Sequence, residues 1–135
     1  LQVKVTDYSW KELIFKALDM ANFKELLVWQ KSIDFVTEIY KFTDSFPKDE
    51  IFGLKSQIRR ASVSIPSNIA EGNSRRSKPD YVQFLKISRG SCAEVEIQLI
   101  ISKNLHFLDE INYLKLNQDI IEISKMLNGL INSLK

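Results

Sequence analysis

The side chains that ordinarily do chemistry are few in this chain, and their spacing leaves them little to do. One histidine, His106, and one cysteine, Cys92, supply no zinc set and no second imidazole for a proton relay. His106 falls near the end of a helical stretch, a place for capping or solvent exposure. Cys92 falls on an apolar stripe, as a small core residue does and a nucleophile does not. Glu94 and Glu96 stand two apart, so on a helix they point to different sides and make no carboxylate pair. The glycines Gly53, Gly72, Gly90 and Gly129 are scattered and build no phosphate-cradling loop. The expectation is a protein that is not an enzyme and needs neither metal nor cofactor.

Two groupings do have a pattern. Arg75, Arg76 and Lys78 crowd one turn, with Lys55, Arg59, Lys86 and Arg89 on outward faces near it. The formal net charge of +2 is too small to announce a nucleic-acid binder, so it is the clustering that suggests a basic rim for phosphates. The second grouping is polar. At about 100° per residue, Gln57, Arg60, Ser64, Asn68 and Glu71 share a helix face set well away from that helix's apolar stripe. A later helix repeats the arrangement with Ile87, Ser91, Glu94, Gln98 and Ile101. Amides and hydroxyls beside branched apolar residues resemble a wet subunit interface more than a lysine-rich solvent face.

The elements that must position these groups read as helices. Leu26, Trp29, Ile33, Val36 and Tyr40 recur at three and four as one stripe, which should stop before Pro47. Ile51, Leu54, Ile58, Ala61, Ile65 and Gly72 make the second, with Asn68 standing where an apolar residue is due; "GNSRRSKP" ends it as a turn. Pro79 suits the first turn of a third helix, flanked by Ser77 or Lys78, with Tyr81, Leu85, Ser88, Cys92, Val95, Leu99 and Ser102 as its stripe. Leu116, Ile120, Ile123, Leu127, Ile131 and Leu134 make the fourth. No strand-like alternation occurs, and the connections are short. The fold class is therefore all-α, an up-down-up-down four-helix bundle.

If the two middle helices are antiparallel across the turn, counting back from it brings Arg60 level with Glu94, so a contact between them is expected. Pro66 should bend its helix from the outer face, with Ser62, Ser64 and Ser67 at hand to satisfy the groups it frees.

Residues 1–22 read as an N-terminal extension to a domain over 23–135, with Met20 a candidate start. Within the extension Trp10, Leu13, Ile14, Ala17 and Leu18 have helical spacing. An apolar fraction of 44% over 135 residues fits one domain with a core. No apolar run approaches the roughly 20 residues that cross a bilayer and no leader opens the chain, so a cytoplasmic location and no membrane contact are expected.

"LLVWQKS", "FPKDEIFGLKSQIRRASVSIPSNIAEG" and "GSCAEVEIQL" together resemble one family, the four-helix bundle proteins encoded in intervening sequences of bacterial 23S ribosomal RNA genes. The likeness runs from about Phe23 to the C-terminus, and the Gln-x-x-Arg, Asn-Ile-Ala-Glu-Gly and Gly-Ser-x-x-Glu elements stand in the family's order. Cys92 and Ile97 depart from the residue types expected there. The family is similar in turn to the accessory protein of diversity-generating retroelements, a ring of five four-helix subunits that works with a reverse transcriptase and its RNA. The resemblance thus implies a homopentamer, and it puts Gln57, Arg60, Ser64, Asn68, Glu71, Ser91 and Glu94 on the family motif. Two functions are expected: RNA or other nucleic acid bound at the basic rim, or a scaffold that holds a protein partner.

Overall fold

The computed structural model describes residues 22–135. The extension expected over 1–22, with its helical spacing and Met20, lies outside the described residues except for Asn22. Among the described residues four helices make up the architecture: α1 Leu27–Thr43, α2 Leu54–Ser74, α3 Lys78–Asn104 and α4 Glu110–Ser133. Short 3-10 turns stand at Phe23–Glu25 and Lys48–Glu50, and no strand occurs among the described residues.

The ends follow local chemistry. Pro47 opens the second 3-10 turn, four residues past the end of α1. The Glu50 carboxylate accepts the Leu54 backbone N–H at 2.9 Å and so starts α2. The Ser77 hydroxyl caps α3, with Pro79 in its first turn, and Asp109 caps α4 through the Asn112 N–H at 2.7 Å. His106 ends α3 in the left-handed conformation (φ 62°). There the Phe107 N–H reaches the Ser102 carbonyl and the His106 N–H the Lys103 carbonyl, a six-to-one and five-to-two closure in which histidine stands where glycine is usual.

The core is built from Phe35 and Ile39 of α1, Ile58, Ile65 and Ile69 of α2, Leu85, Cys92, Val95 and Leu99 of α3, and Leu116, Ile120, Ile123, Leu127 and Ile131 of α4. The third and fourth stripes stand as read from the sequence. The first is corrected by one position: α1 buries Val28, Ser32, Phe35, Ile39 and Thr43, while Ile33 and Tyr40 are exposed. The cause is that Ser32 and Thr43 satisfy their hydroxyls on their own helix, at the Trp29 and Ile39 carbonyls, and so enter the core as small residues. On α2, Ile69 rather than Asn68 occupies the core position, and Ile51 lies exposed before the helix begins.

Pro66 is buried, contrary to its expected place on the outer face. It lies on the side of α2 that also carries Arg59, turned toward α1, where a ring without an N–H has no donor to leave unpaired. The nearby hydroxyls do not serve the Ser62 carbonyl that Pro66 frees. Ser62 donates to the Arg59 carbonyl and Ser67 to that of Val63, and α2 continues as helix through the proline.

α2 and α3 make the most extensive helix pair, and α1 and α4 the loosest neighbouring one. Asn73 reaches Tyr81 and Ser88 reaches the Ile65 carbonyl, so α2 and α3 run antiparallel. Gly72 lets them close: a Cβ there would lie 2.8 Å from Phe84 Cβ and 2.9 Å from Tyr81 Cδ1. Arg89 to Asn128 fixes α3 on α4, and Lys31 to Glu122 spans α1 and α4.

Candidate functional site: a polar groove and a basic end

Where α2 and α3 part at their outer edge they leave a groove of about 380 Å³, lined by Gln57, Arg60, Ala61 and Ser64 of α2 and Ser91, Glu94 and Gln98 of α3. At its centre the Ser64 and Ser91 hydroxyls meet at 2.9 Å. Asn68 donates to the Ser64 carbonyl at 2.8 Å and to its hydroxyl at 2.9 Å, so this part of the groove is satisfied within the subunit.

The rest is not. Gln98 is only 9% exposed, and its Oε1 takes no hydrogen bond from any described residue. A buried amide oxygen left this way costs about 1 to 3 kcal/mol. Arg60 and Glu94 both line the groove, at the level that counting from the turn predicts, yet they form no ion pair. Arg60 instead turns back along its own helix to the Ser56 hydroxyl at 3.0 Å. The expected contact between them is therefore corrected. Both side chains are exposed in the single chain, so the pull between them is weak in water and a local hydroxyl suffices to hold the guanidinium. Glu71, expected on the same seam, pairs with Arg75 at 2.9 Å and faces the turn.

The basic residues divide between the ends of the bundle. At the α2–α3 turn Arg75 stacks over the Phe84 ring at 4.9 Å as well as pairing with Glu71, and Arg76 and Lys78 are exposed beside it. Lys78 and Lys86 share a shallow depression of about 420 Å³ with Pro79, Val82, Leu134 and Lys135. Lys135 is a member the sequence reading missed, because only the fold brings the end of the chain against the start of α3.

Arg59 does not belong to this rim. It sits roughly 24 Å along α2 from Arg75, at 1.5 Å per residue, and its groups are already used. Its Nε donates to Thr43 Oγ1 at 2.8 Å, and its Nη2 to the Tyr40 carbonyl and to Asp44, each at 3.0 Å. The guanidinium also lies 4.3 Å from the Tyr40 ring centre, so Arg59 fastens α1 to α2. Lys55 stands at that same far end, beside Tyr40, Ile51 and Val63. Arg89 lies partway down α3 and is held by Asn128 at 2.8 Å.

Other reactive chemistry is accounted for by burial. The Cys92 thiol is pushed up to about 12 by desolvation, with the nearby Glu96 charge adding to it, so it stays a protonated core group. Burial also raises the Tyr81 hydroxyl, and its hydrogen bond from Asn73 partly offsets this. Among the described residues no group of three or more His, Cys, Asp or Glu is placed to hold a metal, and no helix is long and apolar enough to cross a membrane.

An all-α bundle of four helices whose middle pair carries a second, polar seam is a recognisable class of protein. Residues 24–129 match the family model of the 23S rRNA-intervening sequence proteins, and the chain belongs to that family. It is similar to the crystal structure of a protein with unknown function from the S23 ribosomal protein family of Bacteroides thetaiotaomicron, at 27% identity and a TM-score of 0.73, over 78% of this chain and 96% of that one. Among curated proteins there is no match.

Proposed function

We propose that this chain is a non-enzymatic, cytoplasmic bacterial protein without cofactors that assembles with copies of itself and binds RNA at the basic end of its bundle. The observation that carries the reading is the gathering of Lys78, Lys86 and Lys135 around one depression at the end where Arg75 and Arg76 also lie. Lysines around a shallow apolar floor suit a phosphate backbone and read no base sequence. The four helices follow one another up and down, supported by the antiparallel contacts of α2 with α3. Assembly as a ring of five, which the resemblance implies, would repeat the basic end around an axis and multiply its grip on one RNA.

The test is fluorescence anisotropy with a labelled ribosomal RNA hairpin at two salt concentrations, for wild type and for Lys78→Glu/Lys86→Glu. The expected result is binding that weakens with salt, and a further loss in the variant with no change in subunit number. A variant that binds as tightly as wild type refutes this site.

A second reading, a scaffold for a protein partner such as a reverse transcriptase, is favoured by Phe52. Its side chain is 93% exposed, next to the Gly53 turn that Glu50 fastens. A partner recovered after nuclease treatment and lost in Phe52→Ser would support that reading over RNA.

A further inference from the structure

Two antiparallel helices that carry opposite charges at one level make a surface complementary to itself. Here the Ser64 to Ser91 bond sets the register, and one turn away Arg60 on α2 stands level with Glu94 on α3. One turn further Gln57 stands level with Gln98. None of the four meets its opposite number within the chain. Arg60 holds only the Ser56 hydroxyl, Glu94 has no hydrogen bond or ion pair with any described residue, and the buried Gln98 Oε1 still lacks a donor.

The surroundings are those of a covered surface. Beside Glu94 on α3, Ile87, Ile97 and Ile101 are 53%, 58% and 41% exposed, and Val63 beside Arg60 is 38% exposed. Rotate a second copy by 180° about an axis parallel to the helices and lying in the groove face. Its α3 then lies on this α2, antiparallel and with levels kept, so that Arg60 faces Glu94 and Gln57 faces Gln98, twice over. Rotation about the other in-plane axis would set Arg60 on Arg60 and is opposed by charge. A head-to-tail contact in a ring, α2 side to α3 side, gives the same pairs once per interface.

We infer that Arg60 of one copy pairs with Glu94 of another, and that the groove is the surface by which copies of this chain recognise each other. This rests on the self-assembly proposed above. The pair expected within the chain is thus formed between chains.

The test is a charge swap read by native mass spectrometry and by light scattering across a dilution series, with circular dichroism melts as the folding control. Arg60→Glu and Glu94→Arg are exposed changes and should each weaken assembly by about tenfold or more, with helical content unchanged. The double variant Arg60→Glu/Glu94→Arg should restore it, because every interface then carries the pair reversed. A wild-type oligomer indifferent to both single reversals, or a double variant that stays dissociated, overturns this inference alone. A wild-type chain that is monomeric throughout the series overturns the assembly reading with it.

Discussion

Replacing Gly72 by alanine sets two effects of known size against each other. Its backbone has no positive φ, so alanine suits the helix and should gain about 1 kcal/mol over glycine. Against that, the new methyl would lie 2.8 Å from Phe84 Cβ, 2.9 Å from Tyr81 Cδ1 and 3.2 Å from the Tyr81 carbonyl oxygen. Phe84 Cβ and the Tyr81 carbonyl are fixed to the α3 backbone and cannot swing aside, so the helices must part. Overpacking of this kind costs about 1 to 3 kcal/mol. The net expectation is a loss of about 1 kcal/mol, or about 4 °C in Tm for a domain of this size. Gly129 is the control, since a Cβ there meets nothing within 4 Å. Gly129→Ala should therefore gain about 1 kcal/mol. Urea unfolding of both variants at one protein concentration measures the difference, with assembly held constant. If Gly72→Ala gains as much as Gly129→Ala, the close approach of α2 and α3 at this level is wrong, and with it the register that places the groove.

Two further outcomes follow from contacts already described. Arg59→Ala should cost about 1 to 2 kcal/mol through the lost bonds to Thr43 and the Tyr40 carbonyl, the exposed Asp44 adding little. The same variant should leave RNA affinity unchanged, and a selective loss of binding would return Arg59 to the rim. Cys92 makes stability fall at high pH. Its thiol holds its proton up to about 12 in the fold, against an ordinary thiol value of 9.0, so above that ordinary value unfolding releases a proton. Stability then drops by about 1.4 kcal/mol per pH unit relative to Cys92→Ala. Urea midpoints for the two proteins from pH 8 to 10.5 should diverge, and parallel curves would show the thiol to be solvated.

Much of the bundle is legible in the sequence because three of its helices keep strict three-four spacing. α2 departs only at Ile51 and at Ile69, and the larger error, in α1, is instructive. Several of its residues are apolar around more than one face, and the core chose the side with Ser32 and Thr43, which periodicity counts as polar. A hydroxyl that closes on its own helix behaves as a small apolar group, and no hydropathy pattern records that. Pro66 misleads for the converse reason, since a proline read as a disruption is also a side chain with no donor to bury.

The groove was legible in its level and in Gln57, Arg60, Ser64, Ser91, Glu94 and Gln98, because counting from a short turn is reliable over a few helical turns, whereas Asn68 and Glu71 do not line it. What counting leaves open is where a flexible side chain goes. Arg60 had a hydroxyl on its own helix, and Arg59, one residue before it, found three acceptors at the end of the neighbouring helix and on the residue that follows it. The two arginines look alike in sequence and differ by about 100° in direction. The basic rim lost Arg59 and gained Lys135 for reasons of distance along the helices.

The pattern of buried hydroxyls also bears on how the chain folds. Those of Ser32, Ser62 and Ser102 are spent within single helices, and the serine bonds that cross between helices, Ser64 to Ser91 and Ser88 to Ile65, belong to the α2–α3 hairpin. That hairpin closes a short loop, so its contacts cost little chain entropy and suit a folding nucleus onto which α1 and α4 condense. Losses of equal size would then be felt at different times: changes in the hairpin slow folding, and changes in the outer helices hasten unfolding. The middle of the chain sets the register, and its flanks set how long the folded state lasts.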